Sequence, residues 1–146
     1  MPFAEQMLEA HDDVAETLES SGGASRAKLE RHIFDGKHIV ARFASRLRAV
    51  PAVESDAGAR AAKQLEAYAA SALDRVRREE RRLRTLPERI TPVQSARSLE
   101  RIEVTFFNAF AELVSAPGLT AEFVPEFKAA FKEADSCKEL EAIGQD

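Results

Sequence analysis

The chain has 146 residues and a formal net charge of −4, with 45% hydrophobic and 32% charged residues. That length suits a single domain over 1–146 with a buried core, and that balance excludes a disordered polyelectrolyte. A sequence pI near 5.5 argues against general affinity for nucleic acid, and no apolar run approaches the roughly 20 residues of a membrane-spanning helix.

Ala, Leu, Arg and Glu dominate, all strong helix formers, and helical spacing is the only strong periodicity. The expected fold is all-α, a compact antiparallel bundle of four to five helices. The first predicted helix runs from about Phe3 to Ser20, with Ala4, Met7, His11, Val14 and Leu18 on one stripe, and ends at Gly22-Gly23. Residues 1–25 carry six acids and no Lys or Arg. "MPFAEQMLEAHDDVAE" has neither a basic nor an apolar leader region, so the chain is read as cytoplasmic, although a leader or lipid anchor trimmed away would leave no trace.

The second helix is predicted from Ser25 to Ala49, with Leu29, Ile33, Val40, Phe43, Leu47 and Val50 on its stripe and Pro51 closing it. Residues 26–50 hold seven bases against two acids. Gly36 falls on the stripe at a cost of ~1 kcal/mol relative to Ala. It signals a helix crossing closely, or a small cavity beside Phe34 and Phe43.

The third helix is predicted from Ser55 to Leu86, before Pro87, with Ala69, Ala72, Val76, Glu79, Leu83 and Leu86 spaced three and four. At 1.5 Å per residue it spans roughly 45 Å against roughly 27–38 Å for the other helices, so its last turns are expected to overhang them. Those turns carry "RVRREERRLRTLPER" (75–89).

Thr91, Pro92 and Gln94 start the fourth helix with a capping hydroxyl, a first-turn proline and a third-position amide. It is predicted to stop at Pro117-Gly118, with Leu99, Ile102, Phe106 and Leu113 on one face and Phe107, Phe110 and Val114 on a second. "FASRLRAVP" (43–51) and "FAELVSAP" (110–117) echo each other, each ending a helix before a proline. The fifth helix opens at Thr120, is disturbed by Pro125 and runs to about Ile143. Phe123, Phe127 and Phe131 place an aromatic core between the last two helices.

Function is the harder question, and three readings follow from the charges. The first is a non-enzymatic interaction or adaptor domain that binds a protein partner, or a second copy of itself, through a helical face. Its contacts are Arg75, Arg77, Arg78, Arg81, Arg82 and Arg84. Glu79 and Glu80 stand three and four residues from Arg75, Arg77, Arg82 and Arg84, so internal pairing is expected to neutralise part of the run. The second reading, anion or nucleic-acid binding by the same arginines, is disfavoured: the run lacks aromatics for base stacking.

The third reading is a small-ligand or metal-binding bundle around the polar residues of the apolar stripes, His11 and Glu79, with Glu103. A buried Glu is costly, so Glu79 is expected to sit in the wet overhang. The sole Asp-x-x-His, Asp35 to His38, has no second copy, and His32 and His38 cannot share a helix face. Neither a metal nor a cofactor is expected. Nor is a catalytic residue: the chain lacks a nucleophile elbow and a dinucleotide fingerprint, "SSGGAS" lacks the Lys of a phosphate loop, and Cys137 is the single cysteine.

Overall fold

The computed structural model describes residues 26–48 and 55–133, together with Glu9, Asp12, Asp13 and Glu16. Among them the chain is all-α, without a strand: α1 (Arg26–Arg48), α2 (Asp56–Leu83), α3 (Pro92–Phe123) and α4 (Pro125–Glu133). These are the second to fifth predicted helices. His11, Gly22-Gly23, "SSGGAS", Val50, Pro51, Cys137 and Ile143 lie outside the described residues.

The helix starts follow from local chemistry. The Ser55 hydroxyl accepts from Gly58 N at 3.0 Å and caps α2. At α3 the predicted capping box is complete: Thr91 Oγ1 accepts from Gln94 N at 3.2 Å, and Thr91 N donates to Gln94 Oε1 at 3.0 Å.

The helix ends differ from those the prolines predict. α3 does not stop at Pro117-Gly118 but runs through them for 32 residues to Phe123. A proline inside a helix forfeits one backbone bond and crowds the turn before it, at ~3 kcal/mol. Here Ala116, Pro117, Thr120 and Ala121 are all buried, and burial of that face outweighs the loss. The break falls instead at Val124, whose extended backbone (φ −127°, ψ 92°) is what a residue preceding proline prefers. Pro125 therefore opens α4 rather than disturbing it, and Thr120 lies inside α3 instead of starting the next helix. The echo of two prolines ending helices fails at its second member for the same reason.

The core is aliphatic. Leu29, Ile33 and Val40 of α1 meet Ala69, Ala72, Val76 and Leu83 of α2 and Ile102, Ala109 and Leu113 of α3, all buried. Of the aromatic core expected between the last two helices, Phe107 and Phe123 are in solvent, 71% and 64% exposed, Phe127 is half-buried, and the Phe131 side chain lies outside what is described. Phe106 is buried, but it points toward α1, edge-on to His32 with ring centroids 5.6 Å apart. Phe110 likewise meets Phe43 of α1 at 5.9 Å. Gly36 is the reason Phe106 fits there. A β-carbon at that position would fall nearest Phe106 Cζ, and 2.5 and 2.7 Å from Cε1 and Cε2. The close crossing expected at Gly36 is present, and the ring occupies the space where a cavity was the alternative.

The end of α2 does not overhang. Leu83 is fully buried, and beyond it Arg26 Nη1 donates to the Leu86 carbonyl at 2.8 Å while Arg26 N donates to the Glu88 carbonyl at 3.1 Å. The start of α1 thus clasps the α2–α3 turn. Continuing past Pro117, α3 is longer than the 28-residue α2 and covers it to its end. Among the described residues no helix is long and apolar enough to cross a membrane.

Candidate functional site

The arginine-rich half of α2 lies between α1 and α3, and its heptad-like stripe turns Val76, Glu79 and Leu83 inward. Glu79 is therefore buried, 5% exposed, and not in a wet overhang. A carboxylate so placed needs partners. Arg82 Nε donates to Glu79 Oε1 at 2.7 Å from one turn along the same helix, and Arg101 Nη2 of α3 reaches Glu79 Oε2 at 3.4 Å. Glu80, one residue on, faces the other neighbour: Lys37 of α1 donates to both of its oxygens at 2.8 and 2.9 Å, and Arg84 Nη2 reaches it at 3.3 Å. Lys37 also lies 5.4 Å over the Phe34 ring.

The other arginines divide by direction. Arg75 Nε donates across to Glu112 Oε2 of α3 at 2.9 Å, and Arg78 Nη1 to Asp74 Oδ2 at 2.6 Å within α2. Arg77 and Arg81 are exposed, and among the described residues no ion pair holds either. Internal pairing was thus legible in part. Arg82 and Arg84 pair with the glutamates that their spacing names, whereas Arg75 turns to α3 and Arg77 stays in solvent. Lys37, Arg101 and Glu112 were invisible to spacing within one helix. Asp74 was not, since it stands four residues before Arg78.

Of the residues singled out as a buried polar site, only Glu79 is seen buried. Glu103 is exposed on the outer side of α3, where the helical turn carries it away from the Ile102 face, and His11 lies outside the described residues. Among the described residues no group of three or more His, Cys, Asp or Glu side chains could hold a metal ion, and Asp35 and His38 are both exposed. His32 and His38 do take opposite sides of α1, the former buried and the latter exposed.

Two shallow, open clefts flank the arginines. One, about 420 Å³, lies between α1 and α2 and is lined by Glu30, Arg31, Phe34, Asp35, Glu80 and Arg84, three acids against two arginines. The other, about 300 Å³, lies between α2 and α3; four of its seven lining residues are arginines and Glu79 is its single acid. Comparison with protein-family models, with curated proteins and with solved structures finds no match to this chain.

Proposed function

We propose that the protein is a non-enzymatic helical interaction domain that binds an acidic protein partner through the outer face of α2. The scaffold is read as a compact antiparallel bundle of four or five helices in a cytoplasmic protein. Supporting the antiparallel arrangement, contacts run in opposite chain directions: Arg75 meets Glu112 while Glu79 meets Arg101, and Arg26 meets Leu86 while Lys37 meets Glu80.

The observation that carries the functional reading is the asymmetry among the arginines. Arg75, Arg82 and Lys37 each bridge to an acid within or between helices, whereas Arg77 and Arg81 face solvent without an ion pair among the described residues. Beside them Arg78 and Arg84 are more than half exposed, each held by an acid of its own helix. Guanidinium groups gathered on one convex helical face suit carboxylates presented by another protein. A second copy of the chain is a candidate partner, because Glu9, Asp12, Asp13 and Glu16 are helical, exposed and spaced to share one face.

A nuclease-treated pulldown tests the reading. Arg77→Glu with Arg81→Glu should abolish capture of the partner and leave the fold intact. Capture that vanishes with nuclease, accompanied by a salt-sensitive gel shift, would put nucleic acid in the partner's place. Capture indifferent to the charge reversal would refute the assignment to this face. Sedimentation of wild type and variant at several concentrations decides whether the partner is another copy.

A further inference from the structure

We propose that the cleft between α2 and α3 binds a phosphoryl oxyanion, held by Arg78, Arg82, Arg101 and the Asn108 amide, with Arg75 at its edge. This goes beyond the partner-binding face: Arg77 and Arg81 take no part in it, and Arg78 alone is common to both. The cleft is built by two matched sets of spacings: Arg75, Arg78 and Arg82 stand on one side of α2, and Arg101, Thr105 and Asn108 on the facing side of α3. Each set repeats at three or four residues, so the crossing of the two helices brings all six to one place.

Glu79 at the floor of the cleft orients two of the guanidiniums without exhausting them. Arg101 contacts it through Nη2 alone, at 3.4 Å, and its side chain is 59% exposed. Arg82 uses Nε, while its Nη2, buried from solvent and within ion-pair distance of the same oxygen, makes no hydrogen bond. A guanidinium carries five N–H donors, so Arg101 keeps most of its donors for a ligand and Arg82 keeps its Nη1 pair. Asp74 and Glu112 each engage one nitrogen of Arg78 and Arg75, leaving the rest of those forks available. The Thr105 hydroxyl already donates to the Arg101 carbonyl at 2.7 Å, so Asn108 supplies the neutral donor.

The donor layout selects the ligand class. Forks arriving from two helices need an anion with oxygens in several directions. A tetrahedral phosphoryl group has them, whereas a planar carboxylate satisfies one fork. A volume of about 300 Å³, open to solvent, admits inorganic phosphate or the head of a phosphate monoester.

The experiment titrates ¹⁵N-labelled protein with inorganic phosphate and, separately, with phenyl phosphate, chloride holding the ionic strength constant. Saturable shifts are expected at Arg78, Arg82, Arg101 and Asn108. Equal response to the monoester identifies an esterified phosphoryl group as an acceptable ligand, and response to phosphate alone restricts the site to the free ion. Arg101→Met should weaken binding about tenfold or more, the loss of one charge-assisted contact. The pair Arg77→Gln and Arg81→Gln removes twice that charge outside the cleft and should leave affinity within about twofold. Asn108→Asp, at an exposed position that takes no part in the Glu79 hydrogen bonds, should abolish binding and serves if Arg101→Met misfolds. Absence of a saturable shift, or equal weakening by the Arg77/Arg81 pair, would overturn the proposal. Those same two residues are the ones that decide the partner reading, so either proposal can fail alone.

Discussion

Replacing Gly36 by alanine should destabilise the protein, against the usual direction for a helix interior. By propensity alone the change stabilises a helix by ~1 kcal/mol. At Gly36, however, the new β-carbon would meet Phe106 Cε1 and Cε2 at 2.5 and 2.7 Å. Ordinary carbon contacts stand at about 3.5–4.0 Å, so the ring must retreat by roughly 1 Å. It is buried and already edge-on to His32, which closes the easy ways out. Overpacking of this kind costs about 1–3 kcal/mol, and a contact this close belongs in the upper half of that range, which leaves a net loss of up to about 2 kcal/mol once the propensity gain is subtracted. Urea denaturation followed by far-UV circular dichroism would show a lower midpoint with an unchanged slope. Shortening the partner supplies the second half of the test. Phe106→Leu destabilises on its own, but in its presence Gly36→Ala should become neutral or favourable, a coupling of about 1 kcal/mol or more. If Gly36→Ala raised the midpoint, or if the two changes added without coupling, the ring would not be resting on that glycine.

Three further outcomes follow from the same contacts. Glu79→Gln should cost about 1–2 kcal/mol, below the loss for a fully buried pair because Arg82 and Arg101 remain 28% and 59% exposed. Double-mutant cycles should then assign more coupling to Arg82 than to Arg101, and the reverse order would refute the geometry. Phe106→Ala should cost about 3–5 kcal/mol and Phe107→Ala under about 0.5 kcal/mol, a contrast between adjacent phenylalanines that equilibrium unfolding reads directly. Thr91→Ala should cost about 1 kcal/mol by opening the α3 capping box, with amide exchange accelerating first at Gln94 and Ser95.

What the sequence determined by itself was whatever depends on neighbours in the chain. Helical spacing, the helix start at Ser55, the Thr91 cap and the intrahelical Arg82–Glu79 and Arg84–Glu80 pairs all act within one or two turns, so they could be read before the structure. Gly36 was an intermediate case. Its presence on an apolar stripe announced a close crossing, but not that Phe106 would fill it. Tertiary structure alone decided the rest. Whether Pro117 ends a helix depends on how much surface the following turns bury, and whether Glu79 is wet depends on Arg101, 22 residues away and on another helix. Which phenylalanines enter the core was likewise settled between helices, since α1 received Phe106 and left Phe107 in solvent. Local rules set the rods and their stops in terms of ~1–3 kcal/mol, and packing between rods is large enough to overrule them one at a time.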